Sequence, residues 1–165
     1  MSLGIEPTTA GEEVAVARRP RRRPGPRRGP DDRAPHTREA TLVLLVDDVA
    51  DQRELYSQYL RFLGHSVATA RDGREAVAQA ARLEPDVVVM DLSMPVMDGF
   101  EATRALKAHP DTREIPVVAL TGYASYLPEE WARSAGCAAY VSKPCLPASL
   151  SEVIRRVLRR PGPRQ

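Results

Sequence analysis

A run of apolar residues that ends in an acid, Val87-Val-Val-Met-Asp91, decides the fold of this chain. Three other short apolar runs also end in polar residues that can take part in phosphoryl chemistry. They are Leu42-Val-Leu-Leu-Val46 before Asp47-Asp48, Pro116-Val-Val-Ala-Leu120 before Thr121, and Ala138-Ala-Tyr-Val141 before Ser142-Lys143-Pro144. Runs of this length are typical of buried parallel strands. Because parallel strands end at one edge of a sheet, the sequence predicts that three carboxylates, a hydroxyl and an ammonium gather there.

The segments between these runs have helical periodicity, so strands and helices are predicted to alternate. The first helix is predicted over Ala50–Phe62, with apolar positions at Leu55, Tyr59, Phe62 and Leu63. The later elements are a strand over His65–Ala70, a helix with Asp72 as N-cap candidate, a helix from Gly99, a helix from Pro128 to Gly136, and a last helix carrying Leu150, Val153, Ile154, Val157 and Leu158. Together they predict an α/β fold, a flavodoxin-like (βα)5 doubly wound parallel sheet in strand order 2-1-3-4-5.

The chain is predicted to consist of a tail, one domain and a frayed end. Residues 1–40 hold nine arginines and six acids among prolines and glycines, with too few large apolar residues to form a core. We therefore predict a disordered Arg/Pro-rich tail over residues 1–40, a folded domain over 41–160 and a frayed C-terminus over 161–165. No apolar stretch reaches the roughly 20 residues that span a bilayer, and no signal-peptide pattern is present. With two cysteines that lack metal-ligand spacing, these features predict a cytoplasmic protein without membrane insertion.

The residue types at the strand ends suit phosphoryl transfer to a carboxylate. Mg²⁺ prefers oxygen ligands and keeps some waters, a demand that two or three carboxylates and a backbone carbonyl can meet. One carboxylate can then act as a nucleophile and become an aspartyl phosphate. An ammonium would neutralise charge on the transferring oxygens, and a threonine hydroxyl could donate a hydrogen bond to the attached phosphoryl group.

Four motifs along residues 40–160 identify a resemblance. They are Val46-Asp47-Asp48, Met90-Asp91-Leu-Ser-Met-Pro-Val-Met-Asp-Gly99, Leu120-Thr121-Gly122 and Tyr140-Val-Ser-Lys143-Pro144. Each motif alone is common, but four in this order, spaced by β/α units, are highly specific. The chain thus resembles a response-regulator receiver domain of bacterial two-component signalling.

The resemblance implies which residues receive the phosphoryl group and bind the metal. Asp91 is expected to be the phosphoacceptor. Asp48 and Asp91 are expected to bind Mg²⁺ directly, together with the backbone carbonyl of Ser93, while Asp47 helps through a water molecule.

The resemblance also implies a switch. Thr121 is expected to sense the phosphoryl group, Lys143 to contact it, and Tyr140 to change rotamer with Thr121. A strand tyrosine is more often a core residue, so a packing role for Tyr140 stays open. Cys145 departs from the family, which usually has phenylalanine there, so packing beside Lys143 is expected to be looser.

The predicted function is that of a stand-alone response regulator rather than an enzyme. A histidine kinase or histidine phosphotransfer protein would phosphorylate Asp91, and a downstream protein target would recognise the result. The 22 residues after Lys143 are too few for a DNA-binding output domain.

Three alternative functions each have a feature of the sequence for or against them. An unphosphorylated pseudo-receiver would serve as a docking module. A phosphatase would need an Asp-x-Asp motif, but Leu92-Ser93 follows Asp91. Nucleic-acid binding through the arginine-rich tail is less favoured than an inert tail or a start codon set too far upstream, because the arginine run has no aromatic residue for base stacking.

Overall fold

A computed structural model describes residues 40–122 and 134–159 of the chain. The strands are β1 (Leu42–Val46), β2 (Ser66–Ala70), β3 (Val87–Asp91), β4 (Val117–Thr121) and β5 (Ala139–Ser142). The helices in these ranges are α1 (Ala50–Phe62), α2 (Gly73–Leu83), α3 (Gly99–Ala108) and α4 (Pro147–Arg159). The strands form one parallel sheet in the order β2-β1-β3-β4-β5, which confirms the predicted fold.

Some predictions concern residues that lie outside these ranges. They are the tail over residues 1–40, of which only Ala40 is described, the helix after Pro128, described only from Ser134 onwards, and the C-terminus over residues 161–165. These three stay predictions. Among the helices of the described ranges, none is both long and apolar enough to cross a membrane.

The core lies on both faces of the sheet, because successive side chains of a strand point to opposite sides. On one face Leu44 and Val46 of β1 pack with α2 and α3, among others through Ala76, Ala80, Ala102 and Leu106. On the other face Val43 and Leu45 pack with α1 and α4, among others through Tyr56, Leu60, Leu150 and Ile154. Burial on both sides is why β1, β3 and β4 are apolar at nearly every position.

The bounds of α1 are as predicted, but the apolar residues that indicated the helix are mostly not those that pack on the sheet. Three of the four are exposed: Leu55 57%, Phe62 84% and Leu63 42%. The helix instead buries Tyr56, Ser57 and Leu60 against the sheet. Because the small, polar Ser57 lies in this inward stripe, the outward stripe is the more apolar of the two in the sequence.

Candidate functional site

The carboxyl ends of β1 and β3 bring the three predicted acids together. Val46 pairs with Met90 in the sheet, so that Asp47 and Asp91 follow at neighbouring positions of the same edge. Asp47, Asp48 and Asp91 each offer a carboxylate oxygen, and these atoms all lie within 4.8 Å of one another. The predicted acidic cluster is therefore present in the structure.

Lys143 joins the cluster from the end of β5. Its Nζ lies 2.7 Å from Oδ2 of Asp47 and 2.7 Å from Oδ2 of Asp91. The backbone N–H of Lys143 donates to the carbonyl of Thr121 at 2.7 Å, which continues the pairing of β4 and β5 by one residue. This backbone bond fixes where the lysine leaves the sheet and allows its side chain to reach both carboxylates.

Apart from Asp48, the cluster is largely closed to water, so the charges of Asp47, Asp91 and Lys143 depend on one another. The side chain of Asp47 is 0% exposed, that of Asp91 6% and that of Lys143 15%. Burial alone would lower the pKa of Lys143, but its hydrogen bonds to the two carboxylates outweigh burial and raise the pKa above 10.5. The protonated ammonium is the counter-ion of both buried acids.

Backbone N–H groups orient the two buried carboxylates. Oδ1 of Asp47 accepts from the N–H of Val49 at 2.8 Å, and Oδ1 of Asp91 accepts from the N–H of Ser93 at 2.9 Å. In each carboxylate, one oxygen accepts a hydrogen bond from the backbone N–H two residues further along the chain, as in an Asx turn. The other oxygen accepts from the ammonium of Lys143. Both acids are held before any ligand arrives.

The donor set of the cluster fits a hard divalent cation. Carboxylate oxygens are the ligands that Mg²⁺ prefers, and three of them lie close enough to share one ion. Asp48 is exposed, so the cluster keeps an opening to solvent on one side. One ammonium does not neutralise three carboxylates, and a cation would supply the missing charge.

The loop between β3 and α3 packs tightly on Asp91. The N–H of Gly99 donates to the carbonyl of Leu92 at 3.2 Å, and a Cβ added to Gly99 would lie 2.1 Å from the carbonyl oxygen of Asp91. Only glycine fits so close to this backbone.

Within the loop, Val96 adopts a φ of 74°, which a β-branched residue rarely does. The side chain of Asp98 accepts from the N–H of Glu101 at 2.8 Å and caps α3.

The two predicted switch residues differ in exposure. Thr121 ends β4 and is 3% exposed. Tyr140, on the edge strand β5, is 42% exposed and is therefore not part of the core. In the sheet Ala119 pairs with Tyr140, so the tyrosine lies beside β4 two residues before Thr121. The exposure removes the packing role left open for Tyr140, whereas its role as a switch stays a prediction.

Two residues that support the site were missed by the sequence analysis. Arg53 donates from a guanidinium nitrogen to the carbonyl of Asp47 at 2.6 Å. The hydroxyl of Tyr56 lies 3.1 Å from the carbonyl of Cys145, to which it donates, and 3.2 Å from the Cys145 sulfur. Burial raises the pKa of Tyr56, so its hydroxyl stays protonated. Both contacts join α1 to loops of the site, and neither has a signal in local sequence spacing.

The chain is similar in sequence to known proteins. The family described as the response regulator receiver domain matches residues 43–155. The chain is 34% identical over 116 residues to the polar-differentiation response regulator DivK of Brucella anthropi, an alignment that covers 70% of this chain and 94% of that one. DivK of Brucella ovis matches with the same identity and coverage.

Two solved structures with this fold are each 34% identical in sequence to this chain. Chemotaxis response regulator CheY4 of Vibrio cholerae is 34% identical with a TM-score of 0.68, and the alignment covers 72% of this chain and 99% of that chain. The receiver domain of sensor histidine kinase PA1611 from Pseudomonas aeruginosa is 34% identical with a TM-score of 0.69, covering 74% and 100%. That second structure has a magnesium ion coordinated in its active site cleft.

Proposed function

Because this chain belongs to the response regulator receiver family of two-component signalling, we propose that Asp91 is the residue that accepts the phosphoryl group. The observation that supports this most is the pairing of Asp91 with Lys143 at 2.7 Å inside a cluster of three carboxylates. A histidine kinase or histidine phosphotransfer protein would supply the group as a phosphohistidine. A carboxylate oxygen of Asp91 forms the new O–P bond, and the P–N bond breaks with its electron pair returning to the imidazole.

Each neighbour of Asp91 has a part in this transfer. Asp47, Asp48 and Asp91, with the backbone carbonyl of Ser93, would hold Mg²⁺. When bound, the ion neutralises charge on the transferring oxygens. The ammonium of Lys143 already donates to Asp91 and keeps a positive charge beside the oxygens of the incoming phosphoryl group. The rigid hold on Asp91 by the N–H of Ser93 keeps the nucleophile in position without cost at the moment of reaction.

The same attachment is proposed to change the surface that a target protein recognises. The hydroxyl of Thr121 donates to the bound phosphoryl group, and Tyr140 changes rotamer in response. This is supported by the position of Tyr140, which is exposed next to β4 and free of the core. A change of rotamer there alters the surface formed by the edge strand β5, and the signal passes to a downstream protein by contact.

The protein is proposed to act as a signalling module that contributes residues to its own phosphorylation and dephosphorylation. We also propose a cytoplasmic location. The free cysteines Cys137 and Cys145 accord with a reducing compartment.

Intact mass after incubation with acetyl phosphate and Mg²⁺ tests the assignment of Asp91. We expect one added phosphoryl group, which Asp91→Asn abolishes and omission of Mg²⁺ prevents. Asp111→Asn, at an exposed acid outside the cluster, should be phosphorylated as the wild type is. A folded wild type that gains no mass, and that also fails to bind beryllofluoride, would contradict the proposal and favour an unphosphorylated docking module.

A further inference from the structure

Asp48, the exposed acid of the cluster, is held differently from the two buried acids. Asp47 and Asp91 each accept hydrogen bonds from a backbone N–H and from the ammonium of Lys143. The carboxylate of Asp48 forms no hydrogen bond and no ion pair within the part of the chain that the structure describes. Its position relative to the other two carboxylates therefore depends on the backbone at Asp48.

Side chains hold both peptide groups that flank Asp48. The carbonyl of Asp47, in the peptide group before it, accepts from the guanidinium of Arg53 at 2.6 Å. The N–H of Val49, in the peptide group after it, donates to Oδ1 of Asp47 at 2.8 Å. Because each peptide group is planar, holding both of them restricts φ and ψ of the residue between. The bond from Arg53 thus limits where the carboxylate of Asp48 can lie.

Arg53 reaches this loop from a fixed element of the fold. It is the fourth residue of α1, and its backbone N–H donates to the carbonyl of Val49 at 3.0 Å. Tyr56, one turn further on, is buried against the sheet. The side chain of Arg53 is half-buried, and its hydrogen bond to the carbonyl of Asp47 is charge-assisted. The guanidinium therefore ties the loop to the packed helix.

We propose that Arg53 is a positioning residue of the metal site, which keeps Asp48 where its carboxylate can share a divalent cation with Asp47 and Asp91. The inference rests on the proposed function, since it takes Asp48 as a ligand of Mg²⁺. Residues that orient a metal ligand without touching the ion change metal affinity by about 10–100-fold when they are replaced.

Two plainer accounts of Arg53 make different predictions. As a counter-ion of the acids it would compete with a cation, so its removal would tighten Mg²⁺ binding, whereas loss of positioning weakens it. Arg53 forms no ion pair with the described acids, which disfavours this account. As a residue that only stabilises α1, it would stand at the end where a cation opposes the helix dipole. Its removal would then lower the Tm and leave the Kd for Mg²⁺ unchanged.

Titration of the full chain with Mg²⁺ at constant ionic strength, followed by NMR, tests the proposal. Arg53→Met keeps much of the aliphatic stem but removes the charge and the donors. We expect the Kd for Mg²⁺ to weaken about tenfold. The backbone amides of Asp48 and Val49 should shift in the metal-free variant, because the peptide groups beside Asp48 are no longer held on both sides.

Arg61→Met is the matched control, since it removes an arginine of the same helix. The guanidinium of Arg61 also donates to a backbone carbonyl, that of Val67 at 3.3 Å, but at the other end of α1. This variant should bind Mg²⁺ within about twofold of the wild type. Asp48→Asn should lose most of the affinity, which identifies Asp48 as a ligand.

Arg53→Lys keeps the positive charge and tests the hydrogen bond alone. Its affinity for Mg²⁺ should follow the amide of Asp48. If the amide keeps its wild-type position, the Kd should stay within about twofold of the wild type, and if the amide shifts as in Arg53→Met, the Kd should weaken equally. This variant decides the question if circular dichroism shows that Arg53→Met does not fold.

Several results would overturn the role of Arg53. One is an unchanged or tighter Kd in folded Arg53→Met, and another is an affinity in Arg53→Lys that does not follow the amide of Asp48. A wild type that does not bind millimolar Mg²⁺, or that binds it no better than Asp48→Asn, would remove the metal site and this role with it. A wild type that binds Mg²⁺ through Asp48 but gains no mass from acetyl phosphate contradicts only the assignment of Asp91.

Discussion

Replacing Lys143 by methionine tests how the acidic cluster is stabilised. The ammonium lies 2.7 Å from an oxygen of each buried carboxylate. At an effective dielectric constant near 20, two unit charges at about this distance attract by roughly 6 kcal/mol, most of which offsets the desolvation of the pair. Removing one partner of a buried pair leaves the other charge uncompensated and costs about 3–5 kcal/mol. The side chain of Lys143 is 15% exposed, so we expect the lower end, about 3 kcal/mol.

Urea denaturation in chelator, and again with millimolar Mg²⁺, measures the loss in the free energy of unfolding. In a domain of this size a loss of about 3 kcal/mol lowers the Tm by roughly 10 °C. Mg²⁺ should reduce the loss to about 1 kcal/mol or less, because bound cation supplies the positive charge that the variant lacks. The same variant should bind Mg²⁺ more tightly than the wild type, since no ammonium competes for the carboxylates.

Lys107→Met is the matched control, at the chain's other lysine. The Nζ of Lys107 donates to the backbone carbonyls of Arg113 at 2.9 Å and Ile115 at 2.7 Å. The stability lost in that variant should be the same with and without Mg²⁺. A cost below about 1 kcal/mol in chelator, or a loss that Mg²⁺ leaves unchanged, would contradict the role of Lys143 as counter-ion.

Three further changes have expected outcomes in equilibrium unfolding. Gly99→Ala should cost about 3 kcal/mol or more, because its Cβ would lie 2.1 Å from the carbonyl oxygen of Asp91, whereas Gly122→Ala, with open space around it, should be neutral within about 0.5 kcal/mol; similar losses in both would contradict this. Val96→Asn should stabilise by about 1 kcal/mol, since asparagine tolerates the φ of 74° and little apolar contact is lost from a side chain that is 72% exposed, and a loss of stability would count against strain there. Burial lowers the pKa of His65 below 6.5, so the unfolded chain takes up the proton first; the unfolding free energy should be full above pH 6.5 and fall as the pH drops through the lower pKa of the folded state. His65→Gln should flatten this decline, and an unchanged slope would show that other groups cause it.

The acidic site was predictable from sequence because it follows from topology. Each of Asp47, Asp91, Thr121 and Lys143 comes at or directly after the end of a parallel strand, and strand ends share an edge whatever the side-chain packing. The strands β1, β3 and β4 are marked by continuous apolar runs. Asp72 was identifiable as an N-cap because it directly precedes a helix, and its side chain accepts from the N–H of Glu75. These signals are local, so one sequence contains them.

Features that depend on packing between distant segments were missed. The inward face of α1 could not be identified because the helix has two apolar stripes, and the sheet selects the one that contains Ser57. The contact of Tyr56 with Cys145 joins residues 89 apart, and nothing near either residue indicates it. His65, between α1 and β2, is half-buried, and nothing in the sequence around it indicates this.

The span of the ion pairs has a consequence for how the protein becomes competent during synthesis. Asp47 and Asp91 precede Lys143 by 96 and 52 residues, so the ribosome makes the acids long before their counter-ion. A nascent or prematurely ended chain that lacks β5 has the acids without the ammonium that holds them. Only a chain that extends through β5 can form the complete cluster of ammonium and carboxylates.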